Sequence, residues 1–248
     1  MRRKRFGQHF LRDEAIIDAM MARLSPAAGE HFLEIGPGDG ALTAALLRTP
    51  IILTAVEIDR ELAALLRRRF GERLRLLADD VLRVDLSTML ADGQTRVVGN
   101  LPYNISTPLL LRLASCRPRD MHLMLQREVA MRLCAAPGDS SYGRLTVTVK
   151  LSFEVCEILR VPPAAFSPPP KVHSAVVRLR PQKSPIPYSP KLAAILTAAF
   201  QSRRKMLGNA LQNFVVDWRG AKIDANRRAQ TLSPEEFARL ADFANPAA

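Results

Sequence analysis

The sequence predicts an α/β fold in which a mostly parallel sheet is covered by helices on both faces and a small all-helical domain follows. Three observations carry this. From about residue 30, short apolar runs alternate with amphipathic stretches, the pattern of repeated strand–helix–strand units. Three glycines, Gly36, Gly38 and Gly40, stand where the first apolar run gives way to the first amphipathic stretch. A proline-dense segment, "RPQKSPIPYSPK", then precedes a region whose apolar residues recur at helical spacing.

Taken in order, "HFLEIG" reads as a buried strand, "ALTAALLR" as a helix and "IILTAVEI" as a second strand. "RELAALLRRRF" is a helix with Leu62, Leu65 and Leu66 on its apolar face. "LRLLADD" and "RVVGN" are strands, "STPLLLRLA" a helix, "MHLMLQ" a strand and "REVAMRLCA" a helix. The uninterrupted apolar runs suit a parallel sheet buried on both sides. "RLTVTVKLSFEV" alternates with a period of two and predicts a strand wet on one face, and "KVHSAVVRLR" predicts another. These two would add antiparallel strands at one sheet edge. Pro181, Pro185, Pro187 and Pro190 prevent regular structure, which divides the chain into residues 1–183 and a helical domain at 184–248. There "KLAAILTAAFQ", "RKMLGNALQNF" and "SPEEFARLADF" read as helices, the last with Ser233, Pro234 and Glu236 forming a capping-box start.

Composition narrows the class. No apolar run approaches the roughly 18 residues that a membrane span needs, and the basic N-terminus lacks the apolar centre of a signal peptide. Three widely spaced cysteines (Cys116, Cys134, Cys156) argue against a disulfide framework and fit a reducing, cytoplasmic setting. Four scattered histidines give no pair at ligand spacing, so no metal site is expected. The formal net charge is +12 and the pI about 10.4, with basic clusters at 2–5, 67–69 and 203–205. Clustered cations on a basic chain point to a polyanion, nucleic acid above all, and Arg203, Arg204 and Lys205 are the first candidates for RNA contact.

The chemistry lies in three post-strand stretches. In "LEIGPGDGALTAAL" the glycines let the backbone turn tightly and admit a ligand where a Cβ would stand. The next strand ends at Glu57, 57 − 36 = 21 residues after the first glycine, where a carboxylate accepts hydrogen bonds from a ribose diol. The spacing is G-x-G-x-G, and Glu34 precedes it. An acid there suits a ligand with an amino-acid cation better than a pyrophosphate, so S-adenosylmethionine fits. In "LADDVLRVD", Asp80 is placed to accept from an adenine amine. "NLPY", Asn100 to Tyr103, follows the fourth strand at the same sheet edge. An exocyclic adenine amine is a poor nucleophile because its lone pair is delocalised. A carboxamide oxygen from Asn100 and a backbone carbonyl near Leu101 would accept its two hydrogens and favour a tetrahedral nitrogen. Pro102 stiffens that carbonyl and offers no competing N–H, and Tyr103 gives an extruded base a face to stack on. Holding the nitrogen about 3–3.5 Å from a methyl donor and in line with it supplies much of the acceleration.

Two further stretches support the site. "FSPPPKVHS" is a stiff loop expected to hold Phe166 as a second wall of a base pocket, and "KRFGQHFL" (4–11) is expected to be a lid touching cofactor and nucleic acid.

Together "KRFGQHFL", "EIGPGDGALT", "VEID", "GNLPYNIS", "VPPAAFSPPPKVHSAVVRL" and "FQSRRKMLGNAL" resemble, in order and over nearly the whole chain, the ribosomal RNA small-subunit (16S) adenine N6,N6-dimethyltransferase family. The resemblance implies a Rossmann-like, S-adenosylmethionine-dependent methyltransferase sheet with a small C-terminal all-helical domain. It implies dimethylation of two adjacent adenines in the 3′-terminal hairpin of 16S ribosomal RNA during assembly of the 30S subunit. Carried over by position, cofactor contacts fall on His9, Leu11, Gly36, Gly38, Glu57, Asp80 and Asn100. Asn100, Leu101, Pro102 and Tyr103 form the amine site, with Phe166 as its aromatic partner. The family often has Asn where this chain has His9. Other readings are a 23S ribosomal RNA adenine methyltransferase of the macrolide-resistance type, a DNA adenine methyltransferase, for which N-P-P-Y or D-P-P-Y is more expected, and an assembly factor acting mainly by RNA binding. A monomer is the expected state.

Overall fold

The computed structural model describes residues 8–247. The basic cluster at 2–5 and the start of "KRFGQHFL" lie outside the described residues. The chain forms two compact units. One takes the described residues up to Ala130 together with Val155–Pro181; the other takes Met131–Glu154 and the chain from Gln182 onward.

The first unit opens with a short strand, β1 (Phe10–Leu11), and helix α1 (Glu14–Leu24), whose first turn is capped by the Asp13 carboxylate accepting from the Ile16 N–H at 3.2 Å. The repeating units follow: β2 (His31–Ile35), α2 (Ala41–Leu46), β3 (Ile52–Val56), α3 (Arg60–Phe70) and β4 (Leu74–Leu77). In α3 the Asp59 carboxylate caps the N-terminus, and Arg67, Arg68 and Arg69 lie in the last turn, where cations complement the helix dipole. Beyond a short α4 (Leu86–Met89) come β5 (Arg96–Asn100), α5 (Ser106–Leu113), β6 (Asp120–Gln126) and α6 (Arg127–Cys134). After α7 (Arg144–Lys150), which belongs to the second unit, come β7 (Phe153–Val161), β8 (Phe166–Ser167) and β9 (Ser174–Pro181).

The seven-stranded sheet has the order β4-β3-β2-β5-β6-β9-β7. Neighbours from β4 to β6 are parallel and β9 is antiparallel to β6. The order reverses between β2 and β5, which opens a crevice at the strands' carboxyl ends. At the opposite ends, buried Arg96 binds Asp120 through two 2.9 Å hydrogen bonds, Glu30 at 3.0 Å and the Leu24 carbonyl at 2.8 Å. This network ties together the amino ends of β5 and β6 and the residue before β2. Nearby His122 is buried, and desolvation drives its imidazole down to about 4, so it is neutral.

The predicted strand over "RLTVTVK" is helix α7. Thr146 to Val149 are all buried, so the Thr/Val alternation does not mark a wet and a dry face. The Thr146 hydroxyl accepts from the Gly143 N–H and donates to the Arg132 carbonyl, closing the first turn. Burial and capping override the β-preference of the branched side chains. The strand begins only at Phe153.

The second unit adds α8 (Pro190–Gln201), α9 (Leu207–Ala210), β10 (Phe214–Val216), α10 (Trp218–Ala221), α11 (Pro234–Asp242) and β11 (Ala244–Pro246). The capping box at Ser233 and Glu236 forms as the sequence indicates. "RKMLGNALQNF" holds only one helical turn, α9, and its end enters the antiparallel pair β10–β11. Its core packs Tyr142, Val147 and Leu151 with Leu196, Leu207, Leu232, Phe237 and Leu240.

Candidate active site

A cavity of about 300 Å³ sits at the carboxyl ends of the parallel strands. The loops after β2, β3 and β4 and the end of β5 each contribute to it, and β1 closes one side. His9, Leu11, Gly36, Gly38, Glu57, Asp80, Asn100, Leu101, Pro102 and Tyr103 all line it.

The glycines do different jobs. Gly36, Gly38 and Gly40 all adopt positive φ (66°, 61° and 87°), a region costly for any other residue. A Cβ on Gly38 would stand 3.1 Å from the Phe10 ring, so its bareness admits the β1 strap. A Cβ on Gly40 would meet Leu66 and Phe70 at 2.8 Å, so that glycine serves the packing of α2 on α3 rather than a ligand. Gly99 was not singled out from the sequence. It has room for no Cβ because the Ile35 carbonyl oxygen would lie 2.5 Å away across the β2–β5 pair. A lone glycine inside an apolar strand is the usual signal of such an approach.

Glu57 is buried at 3% exposure, and its oxygens accept from the N–H groups of Gly38 (3.0 Å) and Asp59 (2.9 Å). Burial pushes its carboxyl pKa up, and these two donors pull it back. The carboxylate thereby braces the glycine loop and keeps lone pairs for a further donor. Glu34, at 1% exposure, also lines the cavity. Its carboxylate accepts from the Thr43 hydroxyl at 2.7 Å, and desolvation raises its pKa to about 7, with Glu57 adding like-charge repulsion. Asp80 is half-buried; its Oδ1 accepts from the Leu82 N–H at 2.9 Å, and Asp79 accepts from the Asp80 N–H.

At the end of β5 the Asn100 Nδ2 donates to the His9 carbonyl at 3.0 Å, which leaves Oδ1 as an acceptor. The Leu101 N–H donates to the Met124 carbonyl, so the main chain here is anchored on β6. The Tyr103 hydroxyl is paired with Ser174 Oγ at 2.8 Å, and its ring stacks on the His9 ring at 5.7 Å between centroids. Burial raises the Tyr103 pKa, and the Ser174 bond opposes this, so the ring is a neutral surface.

Phe166 stands apart. It is 4% exposed, pairs with Leu11 through β8 and β1, and packs in the core with Ile17 and Met20 rather than lining the cavity. The aromatic beside Tyr103 is His9. Arg203, Arg204 and Lys205 lie in the second unit, all exposed. Arg203 spends its Nη2 on the carbonyls of Ser140 (2.7 Å) and Tyr142 (2.9 Å), a structural use that the sequence did not disclose. Among the described residues no cluster of His, Cys, Asp and Glu could hold a metal ion.

A mostly parallel sheet with a switch-point cavity, a glycine loop and an acidic residue after the second strand of the repeat defines a Rossmann-like nucleoside-binding fold, and the Asn-Leu-Pro-Tyr corner in that cavity fits a methyltransferase of exocyclic amines. The chain matches the family model described as ribosomal RNA adenine dimethylase over residues 1–246, and it belongs to that family. A "Ribosomal RNA small subunit methyltransferase A" of Bordetella petrii is 47% identical, over 97% of this chain and 94% of that protein. Its counterpart in Ralstonia nicotianae is 44% identical, over 97% and 89%. Among solved structures, a dimethyladenosine transferase from Plasmodium falciparum superposes with a TM-score of 0.79 at 26% identity, covering 94% of this chain and 96% of that one. The 23S rRNA methyltransferase ErmE shares the fold at a TM-score of 0.71 and 24% identity, covering 94% and 98%.

Proposed function

We infer that this protein transfers methyl groups from S-adenosylmethionine to N6 of two adjacent adenines in the 3′-terminal hairpin of 16S ribosomal RNA, acting in the cytoplasm as a monomer on the immature 30S subunit. The observation that carries the reading is the placement of Asn100 Oδ1, free to accept, in the same cavity as Gly36, Gly38 and Glu57.

The cavity's set of acceptors fits the cofactor. Glu57 offers acceptors to a ribose diol, Asp80 one to an adenine amine, and Glu34 a buried acid for an ammonium group. Of the guanidinium groups beside the loop, Arg12 is tied to the Asp39 carboxylate and Arg69 donates to the Asp39 carbonyl at 3.0 Å. When bound, S-adenosylmethionine supplies an electrophilic methyl on a sulfonium. The chain's own residues prepare the acceptor. Asn100 Oδ1 and the main-chain carbonyl at Leu101 take the two N6 hydrogens, which withdraws the nitrogen lone pair from the ring. Pro102 limits the motion of that carbonyl, and Tyr103, fixed by Ser174, supports the face of the extruded base. Positioning of this kind lowers the barrier without a covalent intermediate.

The test is Asn100→Ala, assayed with labelled cofactor on 30S particles lacking the modification and on 23S RNA. The reading expects transfer to the 30S particle by wild type and near-complete loss in the variant, with binding of the particle retained. Wild-type transfer to 23S RNA alone, or full activity of the variant, would overturn it.

A further inference from the structure

We propose that His9 is a positioning residue for the methyl acceptor site, because the strap that carries it sets which end of the Asn100 carboxamide faces the cavity. The proposal deepens, and rests on, the methyl-transfer reading above. A carboxamide presents either an acceptor or two donors, and only its hydrogen-bond partners decide which. In this structure the partner of Nδ2 is the main-chain carbonyl of His9 at 3.0 Å. If that carbonyl moved away, the amide would be free to turn its N–H groups toward the adenine amine, and two donors would face each other.

The carbonyl is held by the His9 side chain. Imidazole Nδ1 lies 2.7 Å from the Pro168 carbonyl oxygen and, as the N–H tautomer, donates to it. The ring also stacks on Tyr103. One residue on, Phe10 pairs with Ser167 and sits against Gly38, and Leu11 pairs with Phe166. The strap is therefore pinned on the loop before β9 on one side and on the glycine loop on the other. This also gives the buried Phe166 a purpose: it is a post for the strap, not a wall for the base.

The pinning atom suggests its own controls. Asn carries an N–H donor at the same distance along the side chain as Nδ1 of His, and Asp carries an oxygen there. His9→Asn keeps the bond to the Pro168 carbonyl without the ring; His9→Asp replaces it with repulsion; His9→Ala removes it. The expected order of kcat on 30S particles is wild type, then His9→Asn within about threefold, then His9→Ala and His9→Asp, each down roughly tenfold or more, since small misplacements at a reacting centre cost up to about 100-fold. In parallel, the Asn100 side-chain amide protons, observed by NMR in protein labelled with 15N-asparagine, are slow to exchange in wild type and His9→Asn and fast in His9→Ala. Equal exchange in all four proteins overturns the proposal, as does a fall in cofactor affinity with kcat preserved. Should wild type fail to methylate the particle, the functional reading falls, while the NMR series still judges the orientation of the amide.

Discussion

Replacing Glu34 by Gln is expected to make the protein more stable at pH 8 and a poorer binder of its cofactor. The Glu34 carboxyl has a pKa of about 7 in the folded chain against 4.5 in its absence of structure, chiefly because burial penalises its charge. Below pH 4.5 both states are protonated and the shift has no effect. Between 4.5 and 7 the unfolded chain ionises while the folded one does not, so stability falls with rising pH by about 1.4 kcal/mol per unit. Above 7 the full difference is present: a shift of 2.5 multiplied by 1.36 is about 3 kcal/mol of destabilisation. Gln has nearly the same shape, still accepts from the Thr43 hydroxyl, and never ionises. Glu57, whose carboxyl is raised in the same direction, is present in both proteins, and the variant also relieves its repulsion with Glu34. At about 2–4 °C per kcal/mol for a chain of this size, the variant should melt some 6–12 °C above wild type at pH 8 and level with it at pH 4. Differential scanning calorimetry across that range, in the absence of ligand, makes the measurement. Melting curves that stay parallel at every pH would refute the reasoning, because they would mean that Glu34 ionises as easily inside the fold as outside.

Gly99→Ala would drive a Cβ against the Ile35 carbonyl and should cost about 3 kcal/mol in urea denaturation, with loss of methyl transfer because Asn100 is next in the chain. Arg96→Leu leaves buried Asp120 without its guanidinium, while Glu30 keeps Arg119, and should lose about 3 kcal/mol by the same assay. Arg204→Ala and Lys205→Ala should each lower the slope of log K against log salt for RNA binding by about 1, as loss of a phosphate contact does. Arg203→Ala should instead increase protease cutting near Ser140 and Tyr142, the carbonyls it holds.

The parts of the fold that are local in sequence were legible from it. The glycine loop, Glu57 and Asn-Leu-Pro-Tyr each follow a strand whose apolar run announces itself, and parallel strands place their carboxyl ends together by topology alone. Pairings between distant segments were not legible. Nothing in residues 10–11 says that they will meet residues 166–167, so Phe166 read as a pocket wall when it is the strap's partner. The Thr-Val-Thr-Val run was misread because alternation reports one wet face only when the polar members are wet, and here both threonines are buried. Arg203 looked like any other surface cation, since the loop carbonyls that claim it are some sixty residues upstream.

The path of the chain limits how this protein can be cut. Tyr142, Val147 and Leu151 belong to the core completed by Leu196, Leu232 and Phe237, although a stretch of sheet, Val155–Pro181, intervenes in the sequence. A truncation after the proline-rich segment would strip those residues of their partners and expose their apolar surface. The C-terminal region is thus not a detachable cassette, and its replacement by the equivalent piece of a relative would have to carry residues 131–154 with it.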